Sequence, residues 1–336
     1  MNKKKAKKDP QKIAIGLIIA VIAAFLVLCF AGANLLFSFA LDRNFSFGPE
    51  KLVLKQVISK NGNAEEAVAE QYSGFTGSKS DKEWFEKNAE DVYITSDDGL
   101  KLHGYFIENK NAGGKYMLVF HGYSGEAAHM KGFLKRFYDM GYSVLAPDAR
   151  AHGKSEGSVR TMGWFERKDA LVWINSIIEK DKNCKIGLFG VSMGGATVMM
   201  TAGEELPGQV TVAIEDCGYT SVWDEFEFQL KNTFHIPSFP LLDMADTVTK
   251  IRGGYDFREA SAVEQLKKSK IPILFIHGKD DDFVPFEMLD KVYSAAPNSK
   301  QKLIVENAGH AQSSSAAPEL YWNTVKEFLN ENINGV

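Results

Sequence analysis

Three short stretches hold residue types that do chemistry together. In LFGVSMGGA (188–196) an apolar run stops at Ser192, fenced by Gly190 and Gly194 in the pattern G-x-S-x-G. A serine hydroxyl is a poor nucleophile at neutral pH and needs a neighbouring base. The base is commonly a histidine held in the right tautomer by a carboxylate. His310 follows the apolar run KLIVE in the loop NAGHAQS, and Asp280, Asp281 and Asp282 follow IPILFIHG. G-x-S-x-G alone is a weak pattern, since glycine-rich loops carry it by chance. Its glycines nonetheless permit a sharp strand-to-helix turn that pushes the hydroxyl outward. The helix start beyond it offers backbone N–H groups to a developing oxyanion.

The elements around these residues decide whether they meet. EDVYITSDDGLKLHGYFIE alternates apolar and polar residues on both sides of Asp98-Gly99, a hairpin signal. Short apolar runs then alternate with amphipathic stretches. YMLVF, SVLAP, KIGLFG, VTVAIED, IPILFIHG and KLIVE read as strands. HMKGFLKRFYDMG, WFERKDALVWINSIIEK, GGATVMMTAGEE and PELYWNTVKEFLNEN read as helices. Continuous apolar strands alternating with helices predict a mostly parallel sheet covered on both faces, an α/β fold. Residues 219–268 break the alternation and carry Trp223, Phe226, Phe228, Phe234 and Phe239, predicting a helical insert, or lid, over one sheet edge. Ligands of open α/β sheets bind beyond the C-terminal strand ends. Ser192, the aspartates and His310 all follow strands, in the chain order serine, acid, histidine.

The sequence resembles the α/β-hydrolase family over residues 88–334. FHGYSG (120–125), DARAHGKSEG (148–157), GVSMGG (190–195), IHGKDDDFVP (276–285) and AGHAQS (308–313) carry the likeness. Within the family it is similar to the bacterial serine aminopeptidase-like or lysophospholipase-like group, labels that say little about substrate. The resemblance implies Ser192 as nucleophile and His310 as base. The family spacing H-G-x-x-D-x-x-V-P falls on His277, Gly278, Asp281, Val284 and Pro285, which implies Asp281 as the acid. Asp280 and Asp282 stay open beside it, as do Glu215 and Asp216, which also end a strand. The resemblance places the oxyanion hole at the backbone N–H groups of Met193 and Tyr123. The glycine-triple form of the second motif is missing, which puts the Tyr123 side chain over the acyl pocket.

Other polar residues have structural readings. His121 and His277 sit in H-G pairs at strand ends and tie down neighbouring loops. Asp148, Arg150 and His152 in DARAHGKS brace a loop. His129 and Glu126 lack the spacing of a metal site, and no phosphate-binding glycine motif follows a strand, so no metal and no cofactor is expected. Cys184 and Cys217 are read either as a disulfide or as two buried thiols.

Apolar residues make up 45% of the 336, and charged residues 24%, as in an ordinary globular protein. The whole chain has a net charge of −4, its first twelve residues +5, so the remainder stands at −9. An acidic body argues against nucleic acid as a partner. Ile13–Ala33 carries no charge over 21 residues. At 1.5 Å per residue it spans roughly 31 Å, enough for a bilayer core. Lysines before it predict a cytoplasmic N-terminus and an extracytoplasmic body. Ala31-Gly32-Ala33 leaves the alternative of a cleaved signal and a secreted protein. The expected organisation is a basic tail (1–12), a transmembrane anchor (13–35), a juxtamembrane segment (36–88) and a hydrolase domain (89–334). The expected function is a membrane-anchored serine hydrolase acting on small or lipid-like carboxylic esters. Peptidase, thioesterase or acyltransferase chemistry through the same residues is the alternative, and a degenerate fold used for binding alone is a third reading.

Overall fold

A computed structural model describes residues 10–45, 77–297 and 299–334. Most of the basic tail, residues 1–9, and residues 46–76 of the juxtamembrane segment lie outside the described residues.

Eight strands form one sheet: β1 Glu90–Thr95, β2 Lys101–Ile107, β3 Lys115–Phe120, β4 Ser143–Pro147, β5 Lys185–Val191, β6 Val210–Asp216, β7 Ile273–Gly278 and β8 Lys300–Val305. Their order is β1-β2-β4-β3-β5-β6-β7-β8. β2 pairs antiparallel with β1 and with β4. From β4 through β3 to β8 every pairing is parallel. The β1–β2 hairpin turns at Gly99, whose φ of 88° suits glycine. The sheet is accompanied by α1 Pro10–Leu41, α2 Lys79–Asn88, α3 Lys131–Asp139, α4 Glu166–Lys180, α5 Met193–Ala202, α6 Val222–Phe228, α7 Leu241–Gly253, α8 Ala262–Leu266, α9 Glu287–Ala295 and α10 Pro318–Leu329.

Side chains alternate across the sheet as the pleat requires. In β3, Leu118 and Phe120 join the core that holds Trp173 and Ile177 of α4. Met117 and Val119 join the opposite core, with Phe133 and Phe137 of α3 and Val325 of α10. Both faces are covered, which is why the strands read as unbroken apolar runs. All ten residues of α5 are buried, so the helix beginning at Ser192 is held from every side. The 219–268 interval contains α6, α7, α8 and a single π-turn over Gln229–Thr233.

The N-terminal helix runs beyond the expected boundary at residue 35, continuing to Leu41. Its apolar stretch Ile13–Leu41 reaches a mean hydropathy of 3.2. Most of it is exposed, but Ala33, Phe37 and Leu41 are buried. That i, i+4, i+8 spacing is one helix face, and it packs against α7. Full burial of Phe37 and Leu41 contributes about 1.5–3 kcal/mol each. The helix end is also latched through the backbone: Arg160 N–H donates to Leu41 O, and Arg43 N–H to Ser158 O, both at 2.8 Å. Asp42 forms an isolated bridge with Val159.

Candidate active site

Ser192 stands between the end of β5 and the first residue of α5. Its φ of 58° and ψ of −119° are strained for a residue with a Cβ. The glycines around it are dictated by contact. A Cβ at Gly190 would lie 2.1 Å from Gly194 O, and one at Gly194 would lie 2.3 Å from Phe120 O. Only glycine lets strand and helix fold this tightly against each other, and the fold presents Oγ at the C-terminal edge of the sheet.

Parallel strands β5, β7 and β8 end on that same edge, so the residues following them converge. His310 Nε2 lies 2.9 Å from Ser192 Oγ, and His310 Nδ1 lies 2.8 Å from Asp281 Oδ2. Asp281 is buried, and its other oxygen accepts from the backbone N–H of Phe283 at 3.0 Å and of Val284 at 2.9 Å. His277 Nε2 is 3.3 Å from the Asp281 carboxylate. Burial raises the Asp281 pKa, but the charge and hydrogen bonds of His310 and His277 outweigh it and hold the carboxyl well below its ordinary range. An ionised carboxylate can only accept, so the shared proton sits on His310 Nδ1 and Nε2 is left to accept from the serine hydroxyl.

Asp280 and Asp282 are exposed. Glu215 and Asp216 end β6 but turn elsewhere: Glu215 accepts from Gly218 N–H at 2.9 Å, and Asp216 from Tyr321 O–H at 3.0 Å. Burial pushes these two carboxyls up, to about 8 and about 6. Met193 opens α5, so its backbone N–H belongs to the helix's unpaired first turn. The loop bearing Tyr123 comes close as well, because a Cβ on Gly122 would stand 3.4 Å from Ser192 Cβ.

A cleft of about 840 Å³, counting its open mouth, leads to Ser192. Phe226, Leu230 and Phe234 of the insert line it, as do Phe283, Val284 and Tyr123. Three residues of α1, Leu36, Phe39 and Ala40, also line it, beside the polar Glu225 and Gln229. The Phe283 ring centroid is 4.9 Å from that of His310, walling the imidazole from solvent. Tyr123 does face the pocket, and its hydroxyl donates to Ala40 O at 2.6 Å. The other aromatics divide: Trp223 stacks under Arg258, while Phe239 is 77% exposed.

Comparison with known proteins identifies the fold. The family described as "Serine aminopeptidase, S33" matches residues 114–227. Protein YqkD of Bacillus subtilis is 33% identical over 254 residues, covering 75% of this chain and 82% of its own. The α/β hydrolase domain-containing protein WAV2 of Arabidopsis thaliana is 27% identical, over 71% of this chain and 78% of its own. Among solved structures, the Pyrococcus furiosus esterase Pf2001 superposes with a TM-score of 0.59 at 25% identity, over 73% of this chain and 92% of that one. The chain belongs to the α/β-hydrolase family.

In this hydrolase the remaining polar residues mostly brace the loops that carry the site. His121 Nδ1 donates to Gly122 O at 2.8 Å, and its Nε2 accepts from Ala149 N–H at 3.0 Å. Those two bonds need one neutral tautomer, and burial lowers the His121 pKa accordingly. His277 reaches Val284 O at 3.0 Å and so holds the loop beyond Asp281. Asp148 accepts from the backbone N–H of Ala127 and Lys154 and pairs with His103, at 2.7, 2.8 and 2.7 Å. Arg150 makes a bidentate pair with Asp169 and a second pair with Asp98. His152 Nδ1 donates to Arg150 O. His129 and Glu126 stand 3.9 Å apart as a surface pair. Cys184 and Cys217 are buried free thiols.

Two features escaped sequence reading. His103 is one, because nothing in KLHGYFI marks it as a partner for Asp148. The α1 lining is the other. Its signal was the Ala33, Phe37, Leu41 spacing, hidden inside an apolar stretch already explained by its length.

Proposed function

We propose that this hydrolase cleaves carboxylic esters through a Ser192–His310–Asp281 triad and a covalent acyl-enzyme. The chain of hydrogen bonds from Asp281 through His310 to Ser192 Oγ carries the reading. Ser192 Oγ attacks the ester carbonyl while His310 Nε2 takes the hydroxyl proton. The imidazolium is stabilised by the Asp281 carboxylate. The negative charge on the carbonyl oxygen falls to the backbone N–H groups of Met193 and Tyr123. His310 then gives the proton to the departing alcohol. Water, deprotonated by the same imidazole, splits the acyl-enzyme into a carboxylic acid and free Ser192. The apolar cleft supports an acyl group as the bound half of the ester. The length and hydropathy of α1 support a membrane anchor, and the lysines before it support an extracytoplasmic catalytic domain.

A second reading, aminopeptidase chemistry through the same residues, is favoured by one observation. Glu225 is buried in the cleft wall, and among the described residues its Oε2 has no hydrogen-bond partner. A substrate ammonium would pair with it. Burial holds this carboxyl up at about 8, so the free enzyme presents it neutral at pH 7, which suits an uncharged acyl group better. Asp224 and Glu227 are engaged elsewhere, with Thr220 and with Lys231 and Ser238.

The test is fluorophosphonate labelling of the full chain beside Ser192→Ala, followed by p-nitrophenyl esters and aminoacyl anilides. Labelling confined to the wild type with ester turnover supports the proposal. Turnover of anilides alone would move the assignment to a peptidase, and full activity in Ser192→Ala would end the triad mechanism.

A further inference from the structure

The N-terminal helix enters the site as well as preceding it. Twenty residues, Ile13–Gly32, cover about 30 Å, the thickness of a bilayer's hydrocarbon core. Nearly all of them are exposed, and burial against the catalytic domain begins at Ala33. The helix then runs on without a break, and Leu36, Phe39 and Ala40 face the cleft that holds Ser192. At 1.5 Å per residue these positions lie roughly 6–12 Å beyond Gly32.

The insert marks the same level. A Cβ on Gly32 would stand 3.3 Å from Leu241, at the start of α7. Arg252, at the end of α7, donates to Ser38 Oγ and pairs with Asp42. The two helices therefore run parallel, and the segment leading into α7 reaches the depth of Gly32. That segment carries Phe234, Ile236 and Phe239, exposed by 37%, 40% and 77%. Phe234 also lines the cleft. An apolar path thus runs from the level where the spanning part of α1 ends to the nucleophile. Among the described residues the lining includes no lysine or arginine, and burial raises its one carboxyl, Glu225, toward the neutral form, so it suits an uncharged chain.

We propose that the last two turns of α1 form a wall of the acyl pocket, and that the substrate is a long-chain acyl ester drawn from the bilayer in which α1 sits. This rests on the ester-hydrolase reading above. The bond broken is the acyl C–O bond: the alcohol leaves with the proton from His310, and water releases the fatty acid. The helix end also holds Tyr123 through the bond from its hydroxyl to Ala40 O, which ties the loop of Tyr123 to the pocket wall.

The test uses the full chain in proteoliposomes, with Leu36→Trp filling the α1 wall. Leu35→Trp is the control, because Leu35 is 57% exposed and outside the cleft. The readout is the kcat/KM ratio for p-nitrophenyl dodecanoate over p-nitrophenyl acetate. We expect about a tenfold or larger fall in Leu36→Trp and no change in Leu35→Trp. Should Leu36→Trp lose fluorophosphonate labelling through misfolding, Leu36→Ala replaces it, and its ratio should rise as the pocket deepens. An unchanged ratio in the labelled Leu36 variant, or an equal fall in Leu35→Trp, overturns the wall. The bilayer source is read with a long-chain monoacylglycerol placed in the same vesicles or in separate ones. Faster hydrolysis in the same vesicles is expected, and equal rates overturn membrane delivery. Wild-type protein that neither labels nor cleaves the acetate ester would instead sink the underlying ester reading.

Discussion

Replacing Asp281 by asparagine tests the relay with the least change in shape. The site dictates how an asparagine must sit. Asp281 Oδ1 accepts two backbone N–H groups, from Phe283 and Val284. An amide NH2 cannot face two donors, so the amide oxygen takes that side and NH2 turns toward His310 Nδ1. It then donates to Nδ1 and forces the ring proton onto Nε2, which points at Ser192 Oγ. The serine hydroxyl loses its acceptor. In Ser-His-Asp hydrolases such a swap, with geometry intact, lowers kcat about 10⁴-fold. That corresponds to about 5.5 kcal/mol of transition-state stabilisation. The assay is steady-state and burst kinetics on p-nitrophenyl acetate, with thermal melts to establish folding. A folded Asp281→Asn protein that keeps more than about a tenth of wild-type kcat would refute the claim that Asp281 sets the His310 tautomer. The same variant has a stability signature. Asp281 is depressed in the fold from an ordinary value of 3.8. Its contribution is therefore complete above that pH and is lost as the pH falls through the depressed value. Asp281→Asn should flatten this acid limb.

How far the site was legible follows from which physics each part obeys. The meeting of Ser192 and His310 was readable because a candidate nucleophile and base at strand ends leave local signals: glycines where a Cβ would strike backbone, and a histidine just past an apolar run. The parallel sheet was readable because strands covered on both faces lose their polar alternation, as β3, β5 and β7 do. The choice among Asp280, Asp281 and Asp282 was not readable from residue types. It depends on which of three adjacent side chains turns inward, and the N–H groups of Phe283 and Val284 decide that in three dimensions. The part that α1 plays beyond residue 35 was not readable for a related reason. Hydropathy reports what a helix avoids, not what it touches, and Leu36 is equally apolar against lipid or against a substrate. Glu225 shows the opposite case: one of several acids in WDEFEF, it becomes distinct only when burial raises its pKa.

Two further perturbations probe the scaffold. Gly190→Ala puts a methyl 2.1 Å from Gly194 O. The strand-to-helix turn must open, with a stability loss of about 1–3 kcal/mol or more and loss of fluorophosphonate labelling; wild-type melting and labelling would contradict the contact argument. Glu215→Gln probes a buried carboxyl away from the relay. Burial raises Glu215 from 4.5 to about 8, with His277 and the Gly218 N–H only partly opposing the shift. The folded state therefore holds a proton that the unfolded chain releases above pH 4.5. Stability is highest below that pH, falls as the pH rises toward about 8, and is flat beyond. Glutamine is neutral throughout and keeps the bond from Gly218 N–H. Its own NH2 faces the side where Glu215 Oε1 has no partner among the described residues, a cost that does not depend on pH. The difference between variant and wild type should therefore move in the variant's favour by a few kcal/mol between pH 5 and pH 9. Melts of both proteins at the two pH values measure it, and a difference that does not change with pH would mean that Glu215 is ionised in the folded protein.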